Sequence, residues 1–160
     1  MKPLLRLLTV GAFVAVVVPI ISLSAQATDA AIGNWKLNVA KSKYDPGPAP
    51  KAQTLTYEAA GQGVRITSTA VDARGQTTVI QYTASYDGQD YAVTGGEDFD
   101  TTSLRRIDAF TLEGIRKRGG KVVQTFRRIV SADRKVLTIT TKGTNAKGQP
   151  INNVVVYERQ

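Results

Sequence analysis

From residue 33 to its end the chain is a nearly unbroken series of short segments in which apolar and polar residues alternate, each closed by turn residues. In 64–71, Val64, Ile66, Ser68 and Ala70 alternate with Arg65, Thr67 and Thr69, and in 77–86, Ile80, Tyr82, Ala84 and Tyr86 share a face. Leu112 and Gly114 alternate with Thr111 and Glu113, and Val122, Gln124, Phe126, Arg128 and Val130 fall on one side of 122–130. Leu137 and Ile139 face away from Thr138 and Thr140, and Val154 and Val156 alternate with Val155 and Tyr157. A period of two with threonine and β-branched enrichment predicts strands, and no segment carries the longer period of an amphipathic helix.

Between these segments stand Gly61-Gln62-Gly63, Arg74-Gly75, Asp87-Gly88, Gly119-Gly120 and Lys147-Gly148, residues that accept tight turns. A parallel crossover needs a dozen residues or more, so connections this short require antiparallel neighbours. The expected fold is all-β, a single antiparallel meander barrel of about eight to ten strands. Two stretches break the rhythm. Residues 45–50 hold three prolines and form a stiff connector, and Gly95 to Asp100 form an acidic loop ahead of the strand at 102–107.

Ahead of the barrel, Lys2 and Arg6 precede an apolar run that ends at Ser24-Ala25-Gln26-Ala27, small residues three apart. That order is the layout of a cleaved export signal. The expected division is therefore a signal peptide at 1–27 and a barrel domain at 28–160, periplasmic or secreted. The chain has no cysteine, which excludes both lipid attachment at a cysteine and disulfide support. A domain of this size can hold together on its core alone. Lys2 and Arg6 account for two charges of the net +8, which leaves +6 on residues 28–160. A basic exported domain is suited to anionic partners, with an anionic envelope surface as one candidate, and export argues against nucleic acid.

Histidine is absent too. That removes the commonest general base, the commonest metal ligand and the histidine-dependent nucleophile systems, while thiol chemistry falls with cysteine. No catalytic residue, metal ligand set or cofactor is expected, and Glu97, Asp98 and Asp100 lack the spacing of a calcium loop. Three arginines stand out. Arg106 shares a face with Leu104, Arg116 with Phe110, Leu112 and Gly114, and Arg128 with Phe126, Val122 and Val130. If those faces point inward, up to three guanidinium groups enter one cavity, where a carboxylate or phosphate is a fitting partner. Strands that are two-sided near the barrel rim, or pairing with Glu113, Asp108 or Glu97, are the alternatives. Tyr82, Phe126 and Tyr157 are candidates for the wall of such a cavity.

Gly33-Asn34-Trp35-Lys36-Leu37 on the first strand resembles the G-x-W opening of the calycins, the lipocalins and fatty-acid-binding proteins. The resemblance implies that Trp35, with Gly33, plugs the closed end of a barrel. The closing Val155-Val156-Tyr157-Glu158-Arg159 is similar to the last strand of fatty-acid-binding proteins, although Val155 stands where their Arg-x-Tyr has its arginine. The Pro-rich connector also leaves no room for their helical lid. The Trp-Lys-Leu-Asn opening, Ala40 to Lys43 and Pro46 to Pro50 resemble a group of small exported bacterial proteins described as lipocalin-like. The function so implied is binding of a small amphipathic, hydrophobic or anionic ligand. The alternative is an envelope interaction protein with a filled barrel, whose basic surface binds protein, lipid or glycan. Nothing in the sequence fixes an oligomeric state.

Overall fold

The computed structural model describes residues 29–160, so the export signal and its cleavage site after Ala27 lie outside the described residues. Ten strands follow one another, β1 (Gly33–Leu37), β2 (Ala52–Ala60), β3 (Gly63–Val71), β4 (Thr77–Ser85), β5 (Tyr91–Ala92), β6 (Thr101–Arg106), β7 (Thr111–Arg118), β8 (Lys121–Val130), β9 (Val136–Thr144) and β10 (Pro150–Arg159). A short 3₁₀ turn at Val39–Lys41 opens the connector after β1. All pairings are antiparallel, and the spatial order is β4-β3-β2-β1-β10-β9-β8-β7-β6-β5. Chain-neighbouring strands pair along both arms, and β1 against β10 joins them. The expected all-β meander barrel is therefore present, with ten strands.

Closure is nearly complete. Between β4 and the β5–β6 edge the ladder reduces to isolated bridges, Gln81 with Thr94 and Asp87 with Arg105. Elsewhere the alternation largely sorts side chains between inside and outside, apart from Thr102, Ser103 and Leu104 in β6 and Thr111 and Leu112 in β7, which are buried in succession. Leu55, Tyr57, Val64, Ile66, Ala84, Leu104, Leu112, Phe126, Val130, Leu137, Val155 and Tyr157 are all buried. Each of the valine, leucine, isoleucine and phenylalanine side chains among them contributes roughly 1.5–3 kcal/mol on leaving water, which lets a chain without disulfides hold a barrel shut. One residue departs from the expected face. Val122 is exposed although Gln124, Phe126, Arg128 and Val130 point inward. The register between β7 and β8 shifts at Arg116/Lys117, where Arg116 pairs with Gln124 but Lys117 pairs with Val122. A bulge at Val123 thus breaks the alternation before it reaches Val122.

One end of the barrel is sealed by the segment that precedes β1. Trp35 is fully buried, and its Nε1 donates to the carbonyl of Ala31 at 2.7 Å. Arg159, the last residue of β10, lies over the indole at 4.2 Å from the ring centroid. Its Nη1 and Nη2 donate to the carbonyls of Ile32 and Ala30, both at 2.8 Å, and its Nε donates to Arg134 O at 2.6 Å. The arginine therefore clamps the N-terminal segment onto the tryptophan. Gly33 makes room for it, since a Cβ there would collide with Arg159 Nη1 and its φ of +129° disfavours a side chain. Gly33→Ala is expected to lower unfolding free energy by roughly 1–3 kcal/mol, measured by urea denaturation. An unchanged midpoint would show that the clamp can shift at no cost.

Candidate functional site

Beyond the sealed end, the ladder of inward side chains ends in a cavity of about 220 Å³. Tyr57, Tyr82, Tyr157, Ile66, Ile80, Ile139 and Val155 form its wall, and Tyr44 of the proline-rich connector and Phe99 of the acidic loop enter from the other end. The strand directions put the β1–β2 connector, the β5–β6 loop and the β7–β8 and β9–β10 turns together at that end. The loop is tied across it. Asp98 Oδ1 accepts from Ala146 N, and Asp100 Oδ2 accepts from Gly119 N, both at 2.7 Å. Two carboxylates of the acidic run therefore staple the loop to neighbouring turns, and Phe99 is held inward, 6% exposed.

Arg116 is the cation of this cavity. Its guanidinium lies 4.5 Å from the ring centroid of Phe99 and 4.6 Å from that of Phe126, and Nη1 donates to Gln124 Oε1 at 3.0 Å. Gln124 is itself fixed, its Nε2 donating to Thr144 O at 3.1 Å. Gly114 shares in the arrangement, because a Cβ at that position would strike the Phe126 ring. Among the described residues no carboxylate lies within ion-pair distance of Arg116, and its Nε is buried without a partner. Burial pulls the guanidinium below its ordinary value, opposed by Tyr82, Tyr57, Tyr157 and Asp98. An arginine stays charged through such a shift. The side chain keeps some accessible surface, but protein encloses it, so that surface belongs to the cavity wall.

The other two arginines are placed elsewhere. Arg128, 1% exposed, forms a two-point ion pair with Asp29, Nη2 to Oδ1 at 2.7 Å and Nη1 to Oδ2 at 2.9 Å. The Asp29 carboxylate also accepts from Tyr86 Oη at 2.6 Å and from Ala31 N at 2.9 Å. Four hydrogen bonds to one carboxylate account for its burial, and this group belongs to the sealed end. Arg106 stacks on the Tyr86 ring, 3.9 Å from its centroid, beside the seam between β4 and β6. The structure thus brings Arg116, Tyr82, Phe126 and Tyr157 together and leaves Arg106 and Arg128 outside the group. The three arginines do not share a cavity.

Sequence reasoning passed over Tyr44, which sits in the connector and so belongs to no strand pattern. Its hydroxyl is buried without a hydrogen-bond partner, and burial pushes its pKa up to about 12. Burial likewise raises Tyr57, Tyr82 and Tyr157, so all four phenols keep their protons at neutral pH. A larger concavity, about 540 Å³, lies on the outer face of β6–β9. There Glu113 is shared by Arg105 and Arg127, each at 3.1 Å.

No family model matches the chain, and no curated protein matches its sequence. Among solved structures it is similar to zebrafish ileal bile acid-binding protein complexed with cholic acid, at 14% identity and a TM-score of 0.49, over 82% of this chain and 99% of that one. It is also similar to the siderocalin Ex-FABP, described as functioning through dual ligand specificities, at 11% identity and a TM-score of 0.41, over 82% of this chain and 74% of the other.

Proposed function

We propose that the barrel is a binding protein for a small anionic ligand, held in the internal cavity with Arg116 as its anion grip. The observation that carries this is a cation enclosed in the cavity wall with no carboxylate at ion-pair distance among the described residues. A buried charge is costly unless compensated, and retaining one opposite a cavity fits a ligand that supplies the compensation. The two-ring sandwich and the hydrogen bond to Gln124 hold the guanidinium in one orientation beforehand, which reduces the ordering cost of binding.

The reading separates binding from stability. Arg116→Met removes the charge and keeps the apolar stem, so stability should be unchanged or rise. Anion binding should weaken by roughly tenfold or more, as expected for a lost charge-assisted bond. Native mass spectrometry of protein isolated from its own host, wild type beside the variant, tests both halves. An anionic adduct carried by the wild type and lost from a folded variant supports the reading; an adduct retained by the variant sinks it. We also propose that residues 1–27 are removed on export and that 28–160 is the working domain, because the charged start, apolar run and A-x-A site suit a signal peptidase. The intact mass of the same sample decides that, since a chain still starting at Met1 would refute it.

A further inference from the structure

The cavity is far more polar than a fatty tail would want. Besides Arg116, its lining holds four phenol hydroxyls, those of Tyr44, Tyr57, Tyr82 and Tyr157. Among the described residues none of the four meets a hydrogen-bond partner, and the Tyr44 hydroxyl and Arg116 Nε are out of solvent altogether. Buried polar groups in folded proteins are nearly always bonded. Against four protonated phenols and a guanidinium the lining sets one carboxylate, that of Asp98, which already accepts from Ala146 N, so the five donor-bearing groups together call for an acceptor-rich guest.

Size narrows the class further. At about 220 Å³ the cavity falls below the roughly 300–1,000 Å³ of sites that take drug-sized molecules. At about 30 Å³ each it equals the volume of roughly seven waters, so a compact guest fills it, whereas a long acyl chain or a fused-ring steroid would extend past its mouth. Shape points the same way. Five aromatic rings, those of the four tyrosines and Phe99, contribute to the wall, and ring faces prefer flat partners in offset or edge-on contact.

Building on the binding reading above, we infer that the ligand is a compact aromatic acid carrying at least one further oxygen. Its carboxylate would meet Arg116, and its ring oxygen would accept from the tyrosine hydroxyls. The loop that bears Phe99 covers the guest at the end opposite Trp35 and sets an upper limit on its length.

Calorimetric titration of the purified protein with para-hydroxybenzoate, benzoate and palmitate tests this, with Tyr82→Phe, Tyr157→Phe and Arg116→Met beside the wild type. Para-hydroxybenzoate is expected to bind most tightly, with palmitate weaker by about tenfold or more. Each Tyr→Phe change deletes one oxygen and keeps the ring. One or both should weaken para-hydroxybenzoate by roughly three- to tenfold while leaving benzoate within about twofold. Matched thermal midpoints establish that the variants are folded. Palmitate binding best, in an Arg116-dependent manner, would overturn the aromatic acid and leave the anion-binding reading standing. Binding of all three that is indifferent to Arg116→Met would overturn both.

Discussion

Arg128→Met is expected to cost about 3–5 kcal/mol, a large share of the roughly 5–15 kcal/mol that holds a domain of this size folded. The loss comes less from the missing attraction than from what remains behind. Asp29 is nearly as buried as its partner, with both side chains 2% exposed. Without the guanidinium its carboxylate keeps only Tyr86 and Ala31 N as donors. Adding Asp29→Asn removes the stranded charge; its Oδ1 still accepts from Ala31 N, while its Nδ2, in the place of Oδ2, donates to Tyr86 Oη, which must turn from donor to acceptor, so the double variant should recover about half of the loss. A double-mutant cycle should report about 1–3 kcal/mol of coupling, and strict additivity would show that the pair contributes nothing.

Acid provides an independent check on the same pair. Burial alone would raise the Asp29 pKa, but the hydrogen bonds and charge of Arg128 outweigh it, and the carboxyl is held below its ordinary 3.8. A depressed folded-state pKa gives stability that is present above the unfolded value and is lost as pH falls through the folded one. Wild-type stability from this pair should thus be flat from neutral pH to about 4 and decline below it. In Arg128→Met only burial and two weaker donors act on Asp29, so its pKa moves up and protonation relieves the stranded charge. The two stability curves should converge as pH falls, measured by urea denaturation at a series of pH values. Parallel curves would mean that Asp29 is not the group responsible.

How far the sequence alone could reach depended on how local each interaction is. Strand positions and inward faces came through because alternation is written into adjacent residues, as at Ile80, Tyr82 and Ala84. The alternation failed at Val122, where a bulge set by the β7–β8 register intervened. Arg128 was legible as an inward cation, but its partner lies 99 positions earlier in an irregular segment. No local pattern marks Asp29 as that partner, although an inward arginine is itself a signal to look for a carboxylate outside the strands. Arg106 and Arg116 carry the same inward parity and both stand near the C-terminal ends of their strands, but β6 and β7 run antiparallel, which puts them at opposite ends of the barrel, one by the seam and one in the cavity. Parity fixes a face and not a height along the barrel, which is why three candidates separated into three environments.

Trp35→Ala is the second large effect expected, at about 3–5 kcal/mol for an aromatic removed from a packed core. Trp35 ties together three parts of the sealed end. Its ring carries Arg159, its Nε1 holds Ala31, and its strand pairs with both β2 and β10. Deleting it leaves Arg159 stacked on nothing and frees the carbonyl of Ala31, so the N-terminal segment that also carries Asp29 loses two anchors together. Trp35→Phe separates these contributions. A phenyl ring still supports Arg159 and fills most of the space, while the hydrogen bond to Ala31 is lost, so a smaller cost of about 1–2 kcal/mol is expected. Because Trp35 is the sole tryptophan, its emission reports wild-type unfolding and circular dichroism must serve for the variants. The cavity's wall reaches Leu55, the register partner of Trp35, but its cation Arg116 and the loop ring of Phe99 lie toward the other end of the barrel, so ligand affinity of folded Trp35→Phe should match wild type. A loss of affinity in that variant would tie the sealed end to the site and overturn the division of the barrel into a structural half and a binding half.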